Sequence, residues 1–395
     1  MPKKSAEPKL TVAELGRWRL VEQFQKRLAA APAGGAGHRS WADPQRQLQL
    51  SEYLSLFLFG LLNPAVRTMR ALCAASDLER LQKEVCGRTV SLGSFSEAQA
   101  VVDPELLEKV FAELAAEGAA KEGRVSGPGG LPWRIVDSTL WEALPRMHWA
   151  LWRRQGPTQS AVRLHVGLHV LDDAVDRAQI TTGRGCERRA WRAGWQPGEA
   201  YIGDRYYGED YRLFGELDAL GCAFILRLRD SASFEVEEEL PLTAADEQAQ
   251  VIRQAWVQLG CKKRYRSMRV RLVWVQTPKE VLILVTNQEV ATLSGELVAQ
   301  LYRQRWQVEL FFRWIKCILG CRHWLAESPK GVATQIYLAL IAALLLQRHL
   351  GRRPTQRMWE RLELYLLGVA TLEELETGLA RETARLERQD KNKKV

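Results

Sequence analysis

The chain has 395 residues, of which 46% are hydrophobic and 26% are charged, and its net charge is +9. These proportions are typical of a folded globular protein, and the length is enough for two or three domains with a large core. The positive charge is unevenly distributed: between Cys261 and Trp324 there are 12 Lys or Arg residues against 4 Asp or Glu. Such a block favours a polyanionic partner, with nucleic acid as the first choice.

The seven cysteines are an odd number spread along the chain, which argues against a disulfide framework and favours the reducing cytoplasm. The sequence does not favour a zinc site, because Cys317 and Cys321 have no second cysteine pair and His165 and His169 have no third ligand.

No apolar segment of a signal peptide follows the opening Met-Pro-Lys-Lys. The longest apolar run, Ile336 to Leu346, is too short to cross a membrane. We therefore expect a buried helix there and no membrane association.

The first third of the chain carries apolar residues at helical spacing. The predicted helices are Leu54 to Leu62, Met69 to Cys73, and Leu106 to Leu114, the last beginning at Asp103-Pro104. Residues 1–116 are predicted to form a helical domain. Residues 117–132, which are rich in Gly, Ala and charge, are predicted to form a linker.

The pattern then changes to strands. Three consecutive strands are predicted at Arg134 to Asp137, Ala143 to Trp152 and Val162 to Leu171. The elements predicted after them are a helix at Glu187 to Ala193, a strand ending at Asp204, a helix at Asp210 to Leu220, and strands at Cys222 to Leu228, Met268 to Gln276 and Val281 to Asn287.

Two aspartates each end a strand-like apolar run. They are Asp137, after Trp133-Arg-Ile-Val, and Asp204, after Ala200-Tyr-Ile-Gly. Ligands collect at the carboxyl ends of strands in α/β sheets, so both are candidate site residues. The other acidic groups favour structural interpretations, namely a hairpin tip for Asp172, Asp173 and Asp176, and a solvated loop or strand edge for Glu235 to Glu239.

A later helix carries a polar stripe. At ~100° per residue, Tyr302, Arg305, Glu309 and Lys316 fall within roughly 60° of one another. The residues predicted to face the core instead are Leu310, Phe311, Trp314, Ile315 and Ile318. The stripe is either a solvated face with an ordinary Arg305–Glu309 pair, or a carboxylate beside two cations and a phenol that holds a metal near a phosphate backbone. Trp306 either stacks on a base or packs in the core.

The spacing Y-x2-R-x3-E-x6-K, together with the two upstream aspartates, resembles the signature of the insertion-sequence-four family of DDE transposases. The resemblance covers about Trp133 to Leu350. It implies an α/β ribonuclease-H-like catalytic core at 133–350 with a β-rich insertion at about 230–296. An α-helical N-terminal domain that binds DNA ends would precede this core, and C-terminal helices and a basic tail at 351–395 would follow it. One departure is that Tyr206-Tyr207 follow Asp204-Arg205, where many members have a small residue before an aromatic.

The resemblance implies a DNA transposase that carries out metal-dependent excision and strand transfer of an insertion sequence through a hairpin intermediate. Asp137, Asp204 and Glu309 would be the catalytic acids and would bind two Mg²⁺ ions, with Mn²⁺ able to substitute. The residues that would contact DNA are Tyr302, Arg305 and Lys316. The partners would be double-stranded transposon ends and target DNA, with a homodimer forming on synapsis in the cytoplasm. Two alternatives stay open: a ribonuclease-H-like nuclease or resolvase, and a domesticated DNA-binding protein that no longer cuts.

Overall fold

The structure is a computed structural model that describes residues 19–30, 39–63, 65–121, 127–144, 147–150, 160–260, 268–319, 324–366 and 369–393. Its helices in chain order are α1 (Arg19–Ala30), α2 (Leu50–Leu62), α3 (Met69–Ala75), α4 (Glu79–Leu81), α5 (Leu92–Val101), α6 (Pro104–Lys121), α7 (Glu187–Ala193), α8 (Arg212–Ala219), α9 (Ala244–Gln248), α10 (Gly295–Gln304), α11 (Trp306–Leu319), α12 (Pro329–Leu350), α13 (Gln356–Leu366) and α14 (Leu372–Lys393). Its strands are β1 (Trp133–Ala143), β2 (Ser160–His169), β3 (Val175–Thr182), β4 (Ala200–Gly203), β5 (Ala223–Arg227), β6 (Phe234–Leu240), β7 (Val251–Leu259), β8 (Arg269–Gln276) and β9 (Val281–Thr286).

The chain divides into two compact units. One comprises Met1–Leu114 with Trp314–Val395, and the other comprises Ala115–Arg313. The second unit begins close to the predicted boundary at 116. The first unit also takes in residues 314–350, which the sequence assigned to the catalytic core, because α12 packs against α2 and α5. The helix α6 runs to Lys121 and so overlaps the predicted linker, of which residues 122–126 lie outside the described part of the chain.

The helical unit is centred on α12. Its first turn is capped by Ser328, whose side chain accepts a hydrogen bond from the Gly331 amide at 3.1 Å, and Pro329 occupies the first helical position. The helix ends at Gly351, whose φ of 67° is the left-handed conformation that glycine adopts readily. Residues Ile336 to Leu346 are all buried, which confirms the predicted buried helix. By length and composition Pro329–Arg348 could cross a bilayer, but most of its apolar window is buried inside the protein.

The second unit is built on a nine-stranded mixed sheet with the order β3-β2-β1-β4-β5-β9-β8-β7-β6. The strands β1, β2 and β3 form an antiparallel meander, and β4 and β5 run parallel to β1. This order and these directions are those of the ribonuclease-H-like fold, which confirms the predicted fold class. The helices α7 and α8 cover this part of the sheet, with the buried side chains of Trp191, Phe214 and Leu217 in its core.

The insertion continues the same sheet. The strand β9 pairs antiparallel with β5, and β8, β7 and β6 follow outward. The strands predicted at Met268 to Gln276 and Val281 to Asn287 are confirmed as β8 and β9, and the acidic run Glu235 to Glu239 lies on the exposed outermost strand β6.

One strand prediction was wrong. In the span Ala143 to Trp152, β1 ends at Ala143 and His148–Ala150 form a 3-10 turn, while residues 145–146 and 151–159 lie outside the described residues. The second and third strands of the meander are β2 and β3, and the hairpin tip that joins them contains Asp172 and Asp173 as predicted. Asp176, which was predicted in the same tip, lies on β3 instead.

Candidate active site

The two candidate aspartates lie at the same edge of neighbouring parallel strands. The pairing of β1 with β4 runs from Trp133 opposite Ala200 to Ile135 opposite Ile202. Two residues further along each strand come Asp137 and Asp204, so the two positions are level with each other. The strand β4 ends at this point, whereas β1 continues along β2 to Ala143. Asp137 therefore lies within its strand rather than at its end as predicted, where β1 loses its neighbour β4.

Backbone amides hold both carboxylates. The Ser138 amide donates to Asp137 Oδ1 at 2.7 Å, and the Tyr206 amide donates to Asp204 Oδ1 at 2.9 Å. The turn after Asp204 also packs tightly on β5. A Cβ added at Gly208 would overlap the Arg227 carbonyl oxygen, so the close approach of backbone to backbone requires glycine there.

The predicted single helix is two helices that meet at Arg305. The amide of Arg305 donates to the Tyr302 carbonyl and the amide of Val308 to the Arg305 carbonyl, at 3.0 and 3.2 Å. These three-residue spacings tighten the turn and end α10 before α11 begins, although Arg305 keeps right-handed helical dihedral angles. The polar stripe thus spans a junction, with Tyr302 on α10, Arg305 in the turn and Glu309 on α11.

Arg305 links two of the three candidate acids. Its Nη2 atom donates to Glu309 Oε1 at 2.8 Å, and its Nη1 atom lies 3.7 Å from Asp137 Oδ2. The side chains of Arg305, Glu309 and Asp137 are 20%, 34% and 18% exposed. Solvent therefore screens these contacts less than it would at an open surface. The Arg305–Glu309 pair is therefore part of a partly buried cluster with Asp137 and not an isolated pair on a solvated face.

The electrostatic surroundings of Asp137 favour an added positive charge. Burial raises the pKa of Asp137 to about 7, and the Asp204 and Glu187 carboxylates act in the same direction. The Ser138 amide and the Arg305 guanidinium lower the pKa, but they offset only part of the rise. A carboxylate in this position gains from a proton or from a bound cation.

The other residues of the predicted stripe differ in burial and in the unit to which they belong. Tyr302 is 8% exposed, and burial raises its pKa to about 12, with Arg305 opposing that rise. Lys316 lies two turns beyond Glu309 on α11, in the part of the helix that belongs to the helical unit. Trp306 is 51% exposed, so of its two interpretations packing in the core is wrong, while Phe311 and Trp314 are buried as expected.

No local sequence pattern indicates the charged pair of Arg163 and Glu187 beside β1. Arg163 on β2 donates to Ser138 Oγ at 2.8 Å and pairs with Glu187 in the first turn of α7. Glu187 is thus a fourth acid near Asp137, with Arg163 as its counter-ion. The α7 helix was predicted, but its packing against β1 and β2 depends on tertiary contacts that no local spacing encodes.

The histidines and the hairpin acids have local partners. His165 Nε2 lies 2.9 Å from Thr181 Oγ1, and burial lowers the pKa of His165 to about 4. His169 Nδ1 lies 3.3 Å from Asp172 Oδ1. Asp176 pairs with Arg134 at 2.7 Å.

No group of three His, Cys, Asp or Glu side chains within the described ranges is arranged to hold a metal ion. Asp137 and Glu309 are instead drawn to the Arg305 guanidinium. The donor chemistry nevertheless fits a hard divalent cation, because the candidate ligands are carboxylate oxygens and Asp137 is buried with insufficient positive charge around it.

Comparison with known proteins supplies the family. The family model described as Transposase DDE domain matches residues 128–345, which is more than half of the chain and includes Asp137, Asp204 and Glu309. The chain belongs to the transposase DDE domain family. Members of this family generally use divalent metal ions.

Two relatives of this DDE-domain protein have similar sequences. One is "Probable transposase for insertion sequence element IS5377" from Geobacillus stearothermophilus, which is 28% identical over 220 residues. The other is "Putative transposase y4zB" from Sinorhizobium fredii, which is 27% identical over 246 residues. These matches cover 55% and 60% of this chain, and 56% and 67% of the two relatives. A piggyBac transposase in a synaptic complex with hairpin DNA has a looser likeness, with 9% identity and a TM-score of 0.45 over 92% of this chain and 81% of that one.

Proposed function

We propose that the protein is a DNA transposase of the insertion-sequence-four type that excises an insertion sequence and joins it to target DNA. The observation that carries the proposal is the arrangement of Asp137 and Asp204 at one sheet edge, with Glu309 held beside Asp137 through Arg305. This arrangement occurs in a chain of the transposase DDE domain family.

Asp137, Asp204 and Glu309 are the residues that would hold two Mg²⁺ ions, for which Mn²⁺ would substitute. When bound, the ions would activate the attacking water or 3′ hydroxyl and stabilise the leaving oxygen of the phosphodiester. Asp137 is suited to lie between the other two acids, because it is level with Asp204 across the sheet and shares Arg305 with Glu309.

Arg305 has two tasks in this proposal. Without DNA its guanidinium is the counter-ion of Asp137 and Glu309, and with DNA the same planar group is suited to bind a phosphate through two hydrogen bonds. Lys316, further along α11, would contribute a positive charge that contacts the phosphate backbone of the DNA. Tyr302 is mostly buried, so its part would be limited to a hydrogen bond from its hydroxyl group or to supporting Arg305.

The proposed partners follow from the same chemistry. The segment from Cys261 to Trp324 has 12 Lys or Arg residues and only 4 Asp or Glu. This positive charge would attract the phosphates of double-stranded transposon ends and target DNA. The helical N-terminal region would bind the DNA ends, and two copies of the chain would synapse two ends as a homodimer. The hairpin intermediate, the action in the cytoplasm and the absence of membrane association are parts of the same proposal.

A strand-transfer assay separates this proposal from its alternatives. The full chain would be incubated with DNA carrying the flanks of its coding sequence, a target plasmid, and either Mg²⁺ or a chelator. A transposase gives metal-dependent cleavage at the flanks followed by joined products. A ribonuclease-H-like nuclease or resolvase gives cuts without joining, and a domesticated DNA-binding protein gives a bound complex with no cuts, so either of these results would overturn the proposal.

A further inference from the structure

Tyr206 is an exposed aromatic residue two positions beyond Asp204. The chain turns after β4 so that Tyr207 packs into the core at 1% exposure while Tyr206 is 38% exposed. The same turn holds the Tyr206 amide against Asp204 Oδ1 at 2.9 Å. A large ring is therefore held at the surface beside one of the proposed catalytic acids.

Neighbouring side chains hold this ring in place. The guanidinium carbon of Arg188 lies 4.2 Å from the ring centroid, and Arg188 Nε donates to the Tyr206 carbonyl at 2.9 Å. Arg188 is itself fixed by Glu209 at 2.9 Å, and the Tyr207 ring meets the Tyr206 ring edge-on at 5.8 Å. A ring that is already ordered loses little side-chain entropy when a ligand binds to it.

Two further exposed arginines adjoin these residues in the sequence. Arg205 directly precedes Tyr206, and Arg189 directly follows Arg188 on α7. Both are exposed, and neither forms an ion pair with any residue in the described part of the chain. Aromatic rings interleaved with cations are the combination that binds nucleic-acid strands, with bases on the rings and phosphates on the cations. We call Tyr206, Arg188, Arg189 and Arg205 the Tyr206 platform.

We propose that the Tyr206 platform binds one nucleoside of the DNA strand that passes Asp204, stacked on the exposed face of the Tyr206 ring. The phosphates on either side of that nucleoside would contact Arg189 and Arg205. This inference rests on the proposed function, because it takes DNA as the substrate. The competing interpretation is that Arg188 and Tyr206 only fasten α7 to the turn after β4, in which case the ring has no effect on DNA.

The test uses the full chain and a duplex taken from the DNA that flanks its coding sequence, with 2-aminopurine placed in turn at positions around the expected cleavage point. Binding would be followed by anisotropy and stacking by 2-aminopurine fluorescence. Tyr206→Ala should weaken binding about tenfold and remove the fluorescence change at one position. Tyr206→Phe keeps the ring and should keep both signals, as should the control Leu171→Ala, which changes an exposed side chain at the hairpin tip.

An abasic site at the position identified by fluorescence makes the test sharper. If Tyr206 stacks on that base, removing the base and removing the ring should not be additive, so Tyr206→Ala should cost little more on the abasic duplex. In the same series, Arg205→Gln should lower the salt slope of binding by about one, as expected for one lost phosphate contact.

Four results would overturn the inference. One is that Tyr206→Ala binds DNA with wild-type affinity and gives the wild-type change in 2-aminopurine fluorescence, and another is that Tyr206→Phe loses both signals as Tyr206→Ala does. In either case the Tyr206 platform does not stack a nucleoside, while the proposed function stands. Additive costs on the abasic duplex would have the same meaning. If the wild-type chain binds none of these duplexes, the proposed function fails and the platform fails with it.

Discussion

Arg305→Gln should tighten the binding of divalent metal to the DNA-free protein. The Arg305 guanidinium is a counter-ion to Asp137 and Glu309, at 3.7 and 2.8 Å, and a cation that binds these carboxylates has to displace it. A hydrogen bond between charged groups contributes about 1.5–3 kcal/mol, which corresponds to roughly 10- to 150-fold in affinity. Because the Glu309 side chain is 34% exposed, screening favours the lower end, and we expect about tenfold.

Isothermal titration of the DNA-free chain with Mn²⁺ or Mg²⁺ measures this effect. Arg313→Gln is the matched control, because Arg313 is an exposed arginine on the same helix and should leave the affinity unchanged. Thermal melting gives a second readout: the Arg305→Gln variant should be less stable without metal and should gain more stability from added metal than the wild type does. An affinity that stays the same or falls in Arg305→Gln would refute the competition between guanidinium and metal.

Three further predictions concern stability. Asp246 is 1% exposed and accepts hydrogen bonds from the Glu296 amide at 2.7 Å and from Thr243, so Asp246→Ala should lower the free energy of unfolding by about 1–3 kcal/mol in a urea titration, and an unchanged free energy would contradict this. Because burial lowers the pKa of His165 to about 4, the folded protein binds fewer protons than the unfolded chain between pH 4 and about 6.5. The free energy of unfolding should therefore fall by up to about 3 kcal/mol as pH decreases through this window, and His165→Gln should show a correspondingly flatter pH dependence. Gly208→Ala should lower the melting temperature, because its Cβ would overlap the carbonyl oxygen of β5, and an unchanged melting curve would show that the turn after Asp204 can move at little cost.

The three acids could be proposed as candidates from the sequence because their signals are local. Asp137 and Asp204 each follow a short apolar run, and the helix after the insertion carries Glu309 four residues from Arg305. The spacing of apolar and polar residues follows the periods of strands and helices, and these periods can be read within a few residues. The order of the first five strands then followed from the resemblance and not from the pattern itself.

Pairing and packing over longer distances were not predictable. Asp137 lies within β1 because Ser138 to Ala143 continue to pair with β2. The sequence of this segment alone does not indicate that it pairs with β2. The acidic strand β6 is stabilised from outside its own sequence, since Arg253 on β7 and Arg269 on β8 bind its glutamates. The exposed position of Tyr206 likewise depends on Arg188 in another element.

The interruption at Arg305 shows the same limit on a smaller scale. A helical wheel places Tyr302, Arg305 and Glu309 in one stripe, and they do lie close together in the structure. The wheel cannot show that the turn tightens at Arg305, because the choice between three- and four-residue hydrogen bonds depends on how α10 and α11 pack. Tyr302 is also mostly buried, which reduces its expected contact with DNA.

The central claim, that Asp137, Asp204 and Glu309 form one metal-dependent DNA-cutting site, is tested most directly by the nearly isosteric variants Asp137→Asn, Asp204→Asn and Glu309→Gln. Each would be assayed for cleavage of flank DNA in Mg²⁺ and for binding of the same DNA. Asp173→Asn is the control, because Asn tolerates its φ of 56° at the hairpin tip. We expect each of the three variants to lose cleavage to background while binding DNA within a few-fold of wild type, and the control to cut normally. Cleavage at the wild-type rate by any of the three would contradict the assignment.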